Sequence, residues 1–256
     1  MAAASGRRGV PAGAAPQGPF ASPAPSAPDQ ATSGMPASEP ERDRWLADAD
    51  RRLGNAPPTR VLEWTLRGLG PDVVLAASFQ DIALIDLAMS VDPKIEVVFL
   101  DTGAHFPETL EFVEAVRARY DLRLSVAHPG PEADRWPCGS ERCCEFRKVA
   151  PLRHALATKR AWITALKRTD APTRAQAPVI GWDAAFGLVK VNPMATWTDD
   201  DIAAYLAEHD LPVHPLVPQG YRSIGCAPTT RPTSQGEDPR AGRWAGTGKT
   251  ECGLHA

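Results

Sequence analysis

Apolar side chains recur along this chain at two periods, and the change from one to the other falls near Asp72. Before it, Trp45, Leu46, Ala49 and Leu53, then Val61, Leu62, Trp64 and Leu66, recur at helical spacing and predict two helices divided by Pro57-Pro58. After it, short apolar runs alternate with helical stretches. Strands are expected at Val73–Ala77, Ile95–Leu100, Leu122–Ala127 and Ala161–Leu166, and helices over 81–90 and 107–119, the second opened by Pro107. Val179–Trp182 and Leu188–Val191, parted by Asp183-Ala184-Ala185-Phe186-Gly187, predict a hairpin, and Thr198 is expected to cap a helix running through His209. The alternation predicts an α/β fold, a mostly parallel sheet flanked by helices, with no internal repeat.

The two ends follow neither period. Residues 1–40 are Ala, Pro, Gly and Ser with almost no large apolar side chains, so a disordered tail is expected there and an ordered α/β domain over 41–235. Residues 236–256 are polar and glycine-rich and are expected to form a flexible C-terminal tail, with Gly242, Gly246 and Gly248 as its joints. Within it, Gly246-Thr247-Gly248-Lys249-Thr250 imitates the end of a phosphate-binding loop. That motif needs glycine where Arg243 stands and a helix after it, so it is set aside.

Composition narrows the function classes. With 43% hydrophobic residues the chain has enough apolar surface for a real core, and its net charge is -3. No run of Lys or Arg with interleaved aromatics indicates a nucleic-acid surface, which leaves small anions as the expected partners. No apolar stretch suits a membrane span and no secretory pattern opens the chain, so a cytoplasmic location is expected.

Five cysteines, an odd number with two adjacent, make a poor disulfide framework and point to metal or thiol chemistry. Cys143-Cys144 and Cys226 are candidate metal ligands, whereas Cys138 has no partner at a recognisable spacing. Cys252, on the polar tail between glycine and glutamate and near His255, is the candidate nucleophile. Ligands of parallel sheets sit at the carboxyl ends of the strands. Two such ends are polar here, Ser78-Phe79-Gln80-Asp81 and Asp101-Thr102-Gly103-Ala104-His105, and backbone N–H groups after Ser78 would suit a phosphate.

Three ordered segments together resemble one family. Cys143-Cys144-Glu145-Phe146-Arg147-Lys148-Val149-Ala150-Pro151-Leu152, with Leu156 beyond, is similar to the Cys-Cys-x-x-Arg-Lys-x-x-Pro-Leu-x-x-x-Leu signature of assimilatory adenylyl-sulfate (APS) reductases. The tail Glu251-Cys252-Gly253-Leu254-His255 resembles that family's terminus, and Trp162 to Arg168 resembles its Trp-x-x-Gly-Leu-Arg-Arg segment, with Ala165 and Lys167 replacing the glycine and first arginine. The resemblance implies an adenine-nucleotide α-hydrolase-like sheet and a two-step reaction. Cys252 attacks the sulfur of APS and releases AMP; thioredoxin then frees sulfite, the assimilatory step toward cysteine. It also implies substrate contacts from Ser78, Lys148, Arg168, Arg240 and Arg243, and a catalytic or binding role for His255. Arginine suits such oxyanions because it can donate two parallel hydrogen bonds.

Cluster-bearing members of the family hold a 4Fe-4S centre through the Cys-Cys pair and a later Cys-x-x-Cys. Here the later pair reads Cys226-Ala227-Pro228-Thr229, so Thr229, a hard and neutral ligand, stands where the fourth cysteine is expected. A cluster with a non-cysteine ligand or three irons, recruitment of Cys138, zinc on three thiolates and an empty site all remain open. Thr229-Thr230-Arg231 resembles the corresponding stretch of the cluster-free phosphoadenylyl-sulfate (PAPS) reductases, the alternative assignment. An adenylating enzyme is disfavoured because Ser78-Phe79-Gln80-Asp81 lacks the glycine and second serine of that family's loop. A non-catalytic iron–sulfur sensor is disfavoured by the complete Glu-Cys-Gly-Leu-His tail.

Overall fold

The computed structural model of the protein describes residues 34–246, 249 and 251–255. The expected N-terminal tail falls mainly on residues 1–33, outside the described residues, as does Gly248. Helix α1 spans Glu39–Leu53, opening two residues before the expected start of the ordered domain at 41. Pro40 suits this first turn, where a backbone N–H would have no intrahelical acceptor, and Glu39 and Glu41 set negative charge at the positive end of the helix dipole. Helix α2 (Pro58–Leu69) starts on proline for the same reason.

Six strands follow: β1 (Val73–Ala77), β2 (Glu96–Leu100), β3 (Arg123–Ala127), β4 (Ala161–Thr164), β5 (Ile180–Asp183) and β6 (Leu188–Val191). Their order is β3-β2-β1-β4-β6-β5, parallel throughout except for the β5–β6 hairpin. Helices α3 (Ala83–Val91) and α4 (Pro107–Tyr120) connect the first three strands. Strand β4 stops two residues short of the apolar run because Thr164 Oγ1 accepts the Leu166 N–H at 3.2 Å and donates to Asn192 Oδ1 at 2.7 Å, which turns the chain. Beyond β6, α7 (Asp199–Glu208) opens on the expected cap: Thr198 Oγ1 accepts the Asp201 N–H while Asp201 accepts the Thr198 N–H at 2.7 Å.

Between β3 and β4, helix α5 (Glu141–Cys144) passes through a π-helical turn (Glu145–Val149) into α6 (Ala150–Leu156). Pro151 explains the widened turn. It has no N–H for the carbonyl four residues back and its ring crowds that carbonyl, so the preceding residues shift to longer-range bonding, with Ala150 donating to Glu145 O.

Alternation along the strands builds a core on each face. Val73 and Leu75 join the larger cluster with α1 to α4 and α7, whereas Val74 faces Val98, Leu152, Leu156 and Trp162 on the other side. Burying a side chain such as Leu152 completely stabilises the fold by about 2 kcal/mol. The smaller cluster is covered by α6 and, in part, by Leu254 of the C-terminal tail. Among the described residues no helix is long and apolar enough to cross a membrane.

Candidate active site

The sheet order reverses between β1 and β4, so the loops leaving those strands diverge and open a crevice at their carboxyl ends. A cavity of roughly 250 Å³ fills it, walled by Ser78, Asp81, Lys148 and Thr164 and by the tail residues Cys252 and His255, among others. Phe79, beside Ser78, has φ +58°, a costly conformation for a non-glycine residue. Its fully buried ring meets Phe99 edge-on at 5.4 Å, and that packing holds the loop in place. Helix α3 therefore starts at Ala83 rather than at 81, and Asp81 turns its carboxylate to the Ala83 N–H at 3.2 Å. Burial raises the Asp81 pKa, against the pull of Lys167. Burial works against charge on Lys167 too, but Asp170 at 2.9 Å and Asp199 at 3.3 Å outweigh it and raise its pKa.

The tail returns across this crevice. Thr230 and Arg243 form an antiparallel bridge that closes the 231–242 loop. A Cβ on Gly242 would collide with the Arg231 carbonyl, so this glycine serves close backbone approach rather than the swinging joint expected of it. Arg243 is itself half-buried, with its Nε shut off from solvent. Its Nη1 donates to Ile224 O at 3.2 Å and Ser223 Oγ at 3.3 Å, its Nε has no protein partner, and Gly225 must lack a side chain for the guanidinium to fit. Burial, then Arg240, lowers its pKa, while Cys252, Cys226 and Cys144 oppose that shift.

Glu251 anchors the tail. It accepts from Arg174 Nε at 2.8 Å and Nη2 at 2.7 Å, and from Arg240 at 3.4 Å. Cys252 then lies on the cavity wall and also lines an open groove with Cys144 and Lys249. His255 stacks on Trp162 at 5.7 Å between centroids with Nδ1 buried and lacking a protein partner. Burial, then Lys190, Arg174 and Arg240, holds its pKa well below the usual histidine value, so the imidazole is neutral.

The cysteines meet beside the cavity. Ser140 Oγ accepts the Cys143 N–H at 3.3 Å at the start of α5, burying Cys143 and Cys144, and the loop 101–105 draws in Cys226. There Ala227 N–H donates to Ala104 O at 2.7 Å, and Thr102 Oγ1 lies 3.5 Å from Cys226 Sγ. Arg147 ties the π-turn to the same loop through Thr102 O at 2.8 Å. Cys138 joins them, its thiol interacting electrostatically with those of Cys226 and Cys143. The neighbouring Cys138 thiol, together with Lys148, Thr102 and His105, pulls the Cys226 pKa down against burial. The Cys226 thiol, then burial, pushes Cys138 up. Lys249 donates to Cys144 Sγ at 3.1 Å, yet burial still raises that thiol.

Of the residues expected at the site, Ser78, Lys148, Arg240, Arg243, Cys252 and His255 share the cavity wall, with Cys143, Cys144 and Cys226 grouped alongside. Arg168 is not on that wall, because its Nε is committed to Ala177 O at 2.9 Å. Arg174, six positions beyond the Trp162–Arg168 segment, faces the cavity instead. Glu251 and Asp81 were missed as partners of cations, since their contacts depend on segments far apart in the chain.

Fold and site define an α/β protein that receives a small anion beside a thiol. Residues 72–232 match the family model described as the phosphoadenosine phosphosulfate reductase domain. The chain is 47% identical over 215 residues to the adenosine 5'-phosphosulfate reductase of Mycobacteroides abscessus, covering 80% of this chain and 90% of that one. Its fold is similar to the phosphoadenylyl-sulfate (PAPS) reductase of Candida auris in a phosphate complex, with a TM-score of 0.65 at 24% identity over 78% of this chain and 100% of that one. It is also similar to Candida glabrata FMN adenylyltransferase in complex with FAD and inorganic pyrophosphate, with a TM-score of 0.56 at 18% identity over 74% and 68%. The sheet is thus the adenine-nucleotide α-hydrolase-like one, and the chain belongs to the phosphoadenosine phosphosulfate reductase family.

Proposed function

We propose that this protein is a cytoplasmic, thioredoxin-dependent APS reductase that yields sulfite and AMP in sulfate assimilation. The observation that carries the proposal is Cys252 on the wall of the switch-point cavity, in company with Lys148, Arg240 and Arg243. The name of the Mycobacteroides abscessus relative, at 47% identity, favours APS over PAPS as substrate.

Two buried donors or acceptors on that wall lack protein partners, Arg243 Nε and His255 Nδ1, and both are placed to meet substrate. Leaving such groups unsatisfied costs about 1–3 kcal/mol each, which a bound oxyanion or nucleotide would recover. The cations lower the repulsion between a thiolate and a phosphosulfate. In the first half-reaction the Cys252 thiolate attacks the sulfur of APS. An S–S bond forms, the bond from sulfur to the bridging phosphate oxygen breaks, and AMP leaves with that electron pair. In the second, a thioredoxin thiolate attacks Cys252 Sγ and sulfite departs with the electrons of the S–S bond. The second thioredoxin thiol resolves the mixed disulfide, restoring Cys252 and leaving thioredoxin oxidised. The open groove on the other side of Cys252 supports access for that partner.

The side chains beside the cavity fit an iron–sulfur group in donor chemistry, because soft thiols from two separated segments converge with Lys148 and Lys249 near them. Cys143, Cys144 and Cys226 would hold a 4Fe-4S cluster there. When bound, it would supply a polarising centre next to Cys144, on the groove that Cys252 also lines. Sulfite release by anaerobically purified protein with thioredoxin, APS and PAPS assayed in parallel, tests the proposal. Preference for APS is the expected result; preference for PAPS, or activity with neither, overturns it.

A further inference from the structure

We propose that Cys138 supplies the fourth thiolate of the iron–sulfur site, taking the role that Thr229 cannot fill. This rests on the cluster proposed above. Thr229 is neutral, and its Oγ1 donates to Cys226 O at 3.4 Å within its own turn. Its methyl group packs on Gly139. A Cβ there would sit 2.9 Å from Thr229 Cγ2, and Gly139 has φ +93°, so glycine is required on two counts. This contact sets the 138–139 turn against position 229, where the fourth cysteine is missing.

Cys138 reaches in from that turn. Next to Gly139, its thiol lies close enough to those of Cys226 and Cys143 to interact with both electrostatically, between the two segments that carry the other ligands. Cys138, Cys143, Cys144 and Cys226 are thereby gathered from three places in the chain. Among the described residues no three His, Cys, Asp or Glu side chains are arranged for a single metal ion. A four-iron cluster makes a different demand, since each thiolate takes its own iron. Lys148 and Lys249 offset the added negative charge.

Anaerobic preparations of the full chain, of Cys138→Ser and of Cys138→Ser with Thr229→Cys test this through iron and acid-labile sulfide content and electron paramagnetic resonance. The unaltered protein is expected to carry a complete four-iron complement. Cys138→Ser should lose about a quarter of its iron or more and show a three-iron signal on oxidation. Adding Thr229→Cys should restore the full complement, which separates loss of a ligand from loss of the fold. Undiminished iron with an unchanged spectrum in Cys138→Ser overturns the ligand assignment and leaves the cluster standing. Failure of Thr229→Cys to restore iron also overturns it. Absence of iron and sulfide from the unaltered protein overturns both ligand and cluster, and sulfite release from APS by that preparation would show that the reductase reaction survives without them.

Discussion

Arg174 holds Glu251 through two parallel hydrogen bonds of 2.8 and 2.7 Å, and Glu251 immediately precedes Cys252. Both side chains are nearly buried, so the pair is poorly screened and acts as a latch on the tail. In Glu251→Gln the charge is lost while the size is kept. A hydrogen bond to a charged group contributes about 2 kcal/mol, equal to roughly a 30-fold change in the docked population. Alkylation of Cys252 by iodoacetamide, read by mass spectrometry of the tail peptide, should accelerate by about that factor. An unchanged rate would show that the latch does not control the position of Cys252.

Gly225 offers a way to move Arg243 without touching it. A methyl group there would collide with the guanidinium, the mobile end of a long side chain, so the chain can yield at small cost to the fold. Gly225→Ala should therefore keep its thermal midpoint near that of the unaltered protein while sulfite release falls about 100-fold, the scale for loss of one preorganised donor to developing charge. Equal activity would remove Arg243 from the substrate site.

Much of this architecture was legible in the chain because the strands are short apolar runs and the helices carry their own punctuation, as at Pro58, Pro107 and Thr198. The nucleophile was legible too, since a cysteine on a polar tail has no role in a core. The latch was not, because Arg174 and Glu251 are 77 positions apart and only the closed sheet brings them together. Spacing also could not tell Arg168 from Arg174. Their roles are set by a carbonyl, Ala177 O, that captures one of them outside the cavity. Cys138 lacked a sequence partner for a similar reason: its neighbours Cys143 and Cys226 converge only when the π-turn and the 101–105 loop are in place.

His214 should give the protein a weakness toward acid. Its ring is fully buried, with Nδ1 accepting the Leu216 N–H at 3.1 Å and Nε2 3.0 Å from Thr109 Oγ1, a pattern that needs the neutral imidazole. Burial lowers its pKa, and Glu108 only partly opposes this. The unfolded chain takes up the proton near pH 6.5 whereas the folded chain resists until lower pH, so the unfolded state binds more protons below 6.5. The contribution of His214 to stability is therefore complete above pH 6.5 and is lost as pH falls through the interval beneath it. Thermal midpoints should decline from pH 7.5 to 5.5, and His214→Gln should flatten that slope. A variant with the same slope would place the acid sensitivity elsewhere.

Cys144 and Cys252 line the same groove and interact electrostatically, so the choice of nucleophile between them can be tested directly. Cys144 is buried, its pKa is raised by that burial, and its sulfur accepts from Lys249, whereas Cys252 is only half-buried and reaches the substrate cavity. Mixing the protein with APS in the absence of thioredoxin should stop after the first half-reaction, leaving one sulfonate per chain. Peptide mapping by mass spectrometry should find that increment on the peptide containing Cys252, and reduced thioredoxin should remove it with release of an equal amount of sulfite. Cys252→Ser should neither form the adduct nor release AMP above background, while keeping the iron bound to the separate cysteine group. An adduct on Cys144 or Cys226 would transfer the nucleophile's role to the buried group and make the tail a lid instead of a reactant.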